Sequence, residues 1–384
     1  MPKEKEHIDP LFAEFPPVTP EQWMEQVKAE LKGEPLEKLY WKTAGDIVVK
    51  PFYTEEDITS LPSHEAVKSA GWEIRQDIHV ANEVQANQMA LEALNGGINA
   101  IGFILNPGTD LRKLLENIQV EHISTHFMEA MNSYRLLDDF AEILEERGLS
   151  ANDIKGSFSV ELLEGVEEEM DRNEVADYFR EFSELLPSFR SIDIKIKPNI
   201  DRAEALGLAL AKAHEYLFLL TKGGIQIEEI LPRLQFSLDV STDFFLEIAT
   251  LRAIRLLWPK VTAAYTKQAP SLFIHGANQH GKSTGPYINM AHTTTQCMAA
   301  IIGGCNSISI NIPQSLERLT FLQHIARNTQ LILEHEARLD KVADPAAGSY
   351  YVESLTDQLA TKAWEHFKTI EAEGGYFLKY CMFL

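Results

Sequence analysis

Cysteine is scarce in this chain of 384 residues: Cys297, Cys305 and Cys381 are its three, and none forms a C-x-x-C pair. An odd count at such spacing makes neither a disulfide framework nor a structural zinc site, so a reducing, cytoplasmic setting is expected. Positive charge is also short, with 35 Lys and Arg against 57 Asp and Glu and a formal net charge of −22. Nucleic acid and anionic membranes are bound by clustered Lys and Arg that displace counterions, so neither is an expected partner. No window approaches the ~18 apolar residues of a membrane-spanning helix. The opening Met1-Pro2-Lys3-Glu4-Lys5-Glu6-His7 has no apolar stretch behind it, and export is not expected. Internal repeats and low-complexity segments are lacking too.

What is present is a globular mixture, 45% hydrophobic and 24% charged, long enough for one α/β barrel of ~250 residues with additions or for roughly two domains. Residues 1–50 read as an extended arm. Phe15-Pro16-Pro17 breaks the chain, Thr19 caps a helix that Pro20 opens, and Gly33 closes it. The arm's apolar residues, among them Leu11, Phe12, Trp23, Leu36 and Trp41, are too many for a free tail and too few for a core of their own. The arm is therefore expected to lie across the barrel or a partner subunit.

From residue 72, short runs rich in Ile, Val and Phe alternate with longer segments of helical periodicity. The strand candidates are Trp72–Ile78, Ala100–Leu105, His122–His126, Lys155–Glu161, Ser191–Lys197, Arg233–Val240, Ser271–His275 and Ser307–Asn311, and the clearest helices span 201–221, 243–265, 287–301 and 315–336. Eight alternating units without a reversal point to a closed (β/α)8 TIM barrel over residues 51–384, with a doubly wound sheet as the rival.

Ligands of such a barrel bind at the carboxyl ends of the strands. The residues there are Arg75, Gln76, Asp77 and His79; Ser157, Ser159 and Glu161; Lys195 and Lys197; Asp239; His275 and Asn278; and Ser307, Ser309 and Asn311. The list is mostly small hydroxyls and amides, poor material for acid–base chemistry. Asp77-Ile78-His79 resembles the D-x-H-x-x-G pattern that supplies a cobalamin ligand, but Asn82 stands at the glycine position, and a hydrogen-bonded structural histidine is expected instead. His122, His126, His275, Glu161 and Asp239 have no metal-ligand spacing, so no metal site is expected. Gly276 to Ser283 meets the G-x-x-x-x-G-K-[ST] spacing of a phosphate loop, yet no acidic strand end offers a partner for it.

Several segments together resemble the methylmalonyl-CoA mutase family. They are Val49-Lys50-Pro51-Phe52-Tyr53-Thr54, Pro232-Arg233-Leu234-Gln235-Phe236, Asp243-Phe244-Phe245-Leu246-Glu247-Ile248-Ala249 with Leu251-Arg252-Ala253, and above all Ile325-Ala326-Arg327-Asn328-Thr329-Gln330-Leu331 followed by Asp344-Pro345-Ala346-Ala347-Gly348-Ser349-Tyr350-Tyr351-Val352-Glu353. The resemblance implies a barrel that, in active members, threads the pantetheine arm of an acyl-CoA down its axis beneath a cobalamin domain. It also implies an arm that wraps a partner subunit.

Departures from the active pattern are concentrated at the site the resemblance implies. Asp77 replaces the tyrosine that follows I-R-Q in active subunits. Ser191 to Asn199 contains no Tyr-His pair. Gly156-Ser157-Phe158-Ser159-Val160-Glu161 replaces G-T-x-Q-N-D, Glu167-Glu168-Glu169 covers the position of a carboxylate-binding arginine, and Ser315 replaces a glutamate. Vestigial substrate-side positions are Arg75, Gln76, Ser157, Ser159 and Ser307, and Asn311 matches an adenosine-side asparagine. No catalytic residue is assigned. The resemblance therefore implies a small-subunit-like component of an isomerase, adenosylcobalamin-dependent methylmalonyl-CoA mutase. In that reading the chain stabilises a large catalytic subunit in a heterodimer, and the cofactor belongs to the assembled enzyme, not to this chain. The alternative is an active barrel for a different acyl-CoA, with its cobalamin domain on a separate chain.

Overall fold

A computed structural model describes residues 18–43, 45–59, 71–128, 133–160, 163, 171–198, 200–268, 272–279, 286–312 and 319–380. Contacts divide the chain into two compact units, Met1–Ser60 and Leu61–Leu384.

In the first unit, helix α1 spans Pro20–Glu30. Thr19 caps it with Pro20 in the first turn, as the Thr-Pro start predicts, and Gln22 completes a reciprocal capping box. A short antiparallel ribbon pairs Trp41–Lys42 with Val48–Val49. Trp23 packs on Phe52 with ring centroids 3.7 Å apart. Yet α1 buries none of its residues, and Val18, Trp23, Leu39, Trp41 and Val48 are exposed.

The second unit is built on a closed barrel of eight parallel strands: β1 Glu73–His79, β2 Ala100–Ile104, β3 Ser124–Met128, β4 Lys155–Val160, β5 Phe189–Ile196, β6 Leu234–Val240, β7 Phe273–Asn278 and β8 Ser307–Ser309. Their order around the barrel is the order in sequence, and β8 pairs with both β7 and β1 to close it. All eight expected strands are present, which excludes the doubly wound rival. At one end or both, each strand is shifted by one to three residues, and the fifth begins two residues early, at Phe189. The third strand begins at Ser124, and His122 sits in a 3-10 turn before it. The seventh runs on to Asn278, so Gly276 pairs inside the sheet with Leu238 and Ile308 instead of opening a phosphate loop. Residues 280–285, with the rest of that motif, lie outside the described residues. The eighth ends at Ser309, two residues early.

The crossover helices are α2 Glu83–Asn95, α3 Ser133–Glu146, α4 Asp171–Leu185, α5 Arg202–Lys222, α6 Phe244–Thr262, α7 Pro286–Ile302 and α8 Leu319–His335, followed by α9 Tyr350–Ala372 and α10 Gly375–Tyr380. Strand residues alternate between the barrel interior and this helical shell. Phe103, Phe127 and Phe158 occupy adjacent register positions on β2, β3 and β4. Phe140 of α3 and Phe182 of α4 close on this ladder, with the Phe127 and Phe158 centroids 4.6 Å apart. Trp258 of α6 meets Phe236 of β6 in the same way. Helix α9 packs over α5 and α6 as a second layer. That explains why α5 reads apolar nearly all round: one face meets the barrel and another meets α9.

Candidate functional site

The barrel interior is filled by the other half of the alternation. Glu73, Arg75 and Asp77 of β1 share it with Ser124 and His126 of β3, Ser157 of β4, Arg190 and Asp193 of β5, Gln235 of β6, Phe273 and His275 of β7, and Ser307 and Ser309 of β8. Strand neighbours in register point to the same face. Strands buried on both faces are normally continuous apolar runs. Here their inner face is charged.

Arg75 Nε donates to Asp77 Oδ1 at 2.6 Å, and the two side chains are 2% and 5% exposed. Burial alone would raise the Asp77 carboxyl. The Arg75 charge, with His275 and a hydrogen bond from Ser309, outweighs it and holds the group below the usual carboxylate range. The pair lies directly over Gly102 of β2, where an added Cβ would come 2.0 Å from Asp77 Oδ1 and 2.6 Å from Arg75 Nη2. Only glycine on β2 leaves room for the ion pair beside it.

A second chain of contacts runs Glu73, His126, Ser157. Glu73 accepts from Ser124 Oγ at 2.7 Å and lies 3.1 Å from His126 Nε2, and His126 Nδ1 lies 2.9 Å from Ser157 Oγ. Burial, reinforced by the Arg75 charge, pushes His126 down to about 4. The ring is therefore neutral at pH 7, its Nε2–H donating to Glu73 and its Nδ1 accepting from Ser157. Burial would raise the Glu73 carboxyl, but the hydrogen bonds from His126 and Ser124 and the charge of Arg190 hold it far below its ordinary value. The order acid, imidazole, hydroxyl matches a nucleophilic relay. However, His126 and Ser157 are 0% and 1% exposed, so no substrate reaches the hydroxyl.

His275 completes the fill between Ser307 Oγ (3.3 Å) and Ser309 Oγ (3.4 Å), and burial pushes it down to about 3. The Arg190 guanidinium stacks 3.6 Å from the Phe273 ring centre and donates to Gln235 Oε1 at 2.9 Å, and burial lowers it to about 10.

The structure thus splits the residues singled out in the sequence. Arg75, Ser157 and Ser307 are in the buried interior network, with Ser307 wholly enclosed. The Ser157 and Ser307 hydroxyls face His126 and His275, and the Arg75 guanidinium faces Asp77. Ser159 is half-buried. Gln76 points away from the axis toward α8, and Asn311 sits beyond the end of β8, its backbone N–H donating to Asn278 Oδ1 at 2.6 Å. His79 is exposed at the end of β1, and Lys195 and Lys197 are exposed. Glu161, Glu167-Glu168-Glu169 and Ser315 lie outside the described residues. His126 and His275 are each held by separate partners, and among the described residues no three His, Cys, Asp or Glu groups are placed for a metal.

Strand-end reasoning missed Glu73, Arg190, Asp193 and Gln235, which lie deeper in the strands. The available signal was charge at alternate positions of a doubly buried strand, Glu73-x-Arg75-x-Asp77.

Several distinctive motifs prove to be braces. Arg252 of α6 pairs with Asp344 and, at 2.7 Å, with Glu353. The same Glu353 oxygen accepts from the Gly348 backbone N–H at 3.0 Å. One buried guanidinium therefore ties Leu251-Arg252-Ala253 to both ends of the Asp344–Glu353 run and seats the start of α9. Likewise Glu247 accepts from Arg202 and from Ser241 N, while Arg202 holds the Asp239 carbonyl at 2.8 Å, fixing the chain after β6.

Comparison with known proteins places these features. The family model of methylmalonyl-CoA mutase matches residues 89–379. A protein of Porphyromonas gingivalis named methylmalonyl-CoA mutase small subunit is 35% identical over 98% of this chain and 66% of its own length. A methylmalonyl-CoA mutase of Rhizobium meliloti is 30% identical over 93% of this chain and 58% of its length, and a methylmalonyl-CoA mutase small subunit of Streptomyces virginiae is 28% identical over 95% and 65%. The chain spans less than two thirds of the length of these relatives. On the family match, which extends over most of the barrel unit, the chain belongs to the methylmalonyl-CoA mutase family.

Proposed function

We propose that this chain is a small-subunit-like, non-catalytic component of an adenosylcobalamin-dependent methylmalonyl-CoA mutase, which interconverts methylmalonyl-CoA and succinyl-CoA. In this role it stabilises a larger catalytic subunit as a heterodimer in the cytoplasm. The observation that carries the reading is the filled axis. Where an acyl-CoA arm would have to pass, the Arg75–Asp77 pair lies against Gly102, and His126 and Ser157, joined to a half-buried Glu73, are enclosed. Opening that path would strand buried charges, which costs several kcal/mol for each broken pair.

The same residues do not fit a cobalamin-dependent radical centre. Asp77 is a carboxylate locked to Arg75 at the position where the family places a shielding tyrosine. Asn311 keeps the family's residue but spends its backbone on Asn278. The cofactor is accordingly assigned to the assembled enzyme and not to this chain. Residues 1–50 are assigned to contact with the partner, supported by the exposed Trp23, Leu39 and Trp41 on a unit whose helix buries nothing. Residues 51–384 are assigned to the mutase-type barrel, whose compact unit begins at Leu61. A cytoplasmic setting is supported by Cys297 and Cys305, which are free and buried. Among the described residues no helix is long and apolar enough to cross a membrane.

Affinity capture of the tagged chain from its host tests the proposal. A larger mutase subunit arriving in equal amount and carrying cobalamin is the expected result. Arrival of only a short cobalamin-binding protein would overturn it in favour of an active barrel for another acyl-CoA. In the captured enzyme, Asn311→Ala should leave activity unchanged within about twofold, whereas deletion of residues 1–45 should weaken assembly.

A further inference from the structure

The run Ile325 to Gln330 is among the most distinctive in the sequence, and one of its members has no role in the fold described so far. Gln330 joins α8 to the barrel, accepting from Trp72 Nε1 and donating to the Ile308 carbonyl, both at 3.2 Å. Arg327 makes no such brace. Its Nη2 donates to His324 Nδ1 at 2.8 Å, and its buried Nε has no partner among the described residues.

Arg327 lines a cleft of about 280 Å³ that opens where β8 stops pairing with β1. Ser309 and Arg75 are the last paired residues, so from Gln76 onward β1 has α8 and the chain after β8 as its neighbours on that side. Gln76, His79, Asn311 and Gln323 line the cleft with Arg327, and isoleucines supply the apolar wall. Gln76 is 9% exposed, and its Oε1 is buried without a hydrogen-bond partner. Native proteins rarely leave such an atom unsatisfied. The one carboxylate in the wall, Asp77, is already taken by Arg75. The Arg327 head is also pre-placed. It lies on Gly96, where any Cβ would come 2.5 Å from Cζ.

These groups specify a ligand chemistry. A guanidinium with a free N–H directed at no carboxylate selects an oxyanion. The Gln76 amide oxygen requires a donor on the ligand or on a water it carries, and the isoleucines accept a short apolar stem. The volume falls just below the ~300–1,000 Å³ of drug-sized sites, which suits a small anion. We propose that the cleft between β1, β8 and α8 binds a small organic oxyanion, a carboxylate or a phosphate monoester, paired with Arg327 and hydrogen-bonded to Gln76. Arg75 and Asp77 form the wall of the site toward the barrel interior, and the site does not depend on whether this chain is catalytic.

The test is the thermal midpoint of the full chain against increasing butyrate or inorganic phosphate, with chloride at matched ionic strength as reference, followed by calorimetric titration. At least one of the two should raise the midpoint saturably. A response to butyrate alone identifies a carboxylate site, and a response to phosphate alone a phosphate site. Arg327→Met keeps the stem over Gly96 and removes the charge, and should weaken half-saturation about tenfold or more, the effect of losing a charge-assisted hydrogen bond. Arg327→Lys should fall between. Should Arg327→Met fail to fold, Gln76→Leu carries the test and should likewise weaken the response. The proposal is overturned by no response to either anion beyond that to chloride, or by variants that respond like the parent chain.

Discussion

Replacing Arg252 by methionine tests whether the family's most distinctive motif is structural. The guanidinium is 3% exposed and faces two carboxylates, Asp344 and Glu353, themselves 5% and 9% exposed. Methionine fills much of the same volume, so packing is largely kept while two buried negative charges lose their counterion. Breaking a buried pair in this way costs about 3–5 kcal/mol. Unfolding entropy is roughly 2 cal/mol/K per residue, so over some three hundred residues the midpoint should fall by about 5–8 °C. The assay is calorimetry of the full chain beside the triple variant Arg252→Met, Asp344→Asn, Glu353→Gln, which removes the stranded charges together with the guanidinium. The triple variant should recover at least half of the loss, since neutral amides are far cheaper to bury than unpaired carboxylates. A single variant as stable as the parent, or a triple variant worse than the single, would refute the reasoning.

Three further outcomes follow from the barrel interior. His126 and His275 titrate at about 4 and about 3 in the fold, below the ordinary 6.5, so the unfolded chain takes up their protons first. Their contribution to stability is complete above about pH 6.5 and is lost as pH falls from there toward 3; urea midpoints between pH 7.5 and 4.5 should show the slope, and His275→Gln should flatten it. Gly102→Ala drives a methyl group into the Arg75–Asp77 pair and should cost about 1–3 kcal/mol by denaturant titration, and an unchanged midpoint would mean that the pair does not fill the axis. Ser157→Ala takes the donor from His126 Nδ1 and should cost about 1–3 kcal/mol, whereas a serine kept only as a remnant of a substrate contact would leave stability unchanged.

Much of the fold was legible because the signals were local. Ile-, Val- and Phe-rich runs separated by amphipathic helices specify parallel strands and crossovers, and Thr19-Pro20 marked the start of the arm helix. Boundaries were harder. His122 resembles strand sequence but sits in a 3-10 turn, and Gly276 reads as a loop but pairs inside β7, because tertiary pairing outweighs the preference of a single residue.

The interior was legible only in part. Ser157 and Ser307 were found as small polar residues near strand ends, but whether the axis beside them is open or filled was not legible. The sequence does not state that His126 and His275 fill the space beside them, since those contacts join residues about thirty positions apart. Arg75 and Asp77 are adjacent on one strand face, and their pairing was foreseeable from the period of two. The braces of Arg252 and Arg202 were beyond sequence reasoning, because they span about a hundred and about forty-five residues.

The central claim is that this barrel holds no acyl-CoA along its axis. It is tested most directly by titrating the full chain with a methylmalonyl-CoA analogue that resists thioester cleavage while following the thermal midpoint. An unchanged midpoint, at concentrations that fully protect a catalytic mutase subunit, is the predicted result. A saturable rise that is abolished by Ser157→Ala or Ser307→Ala would show that acyl-CoA enters the axis and would contradict the account.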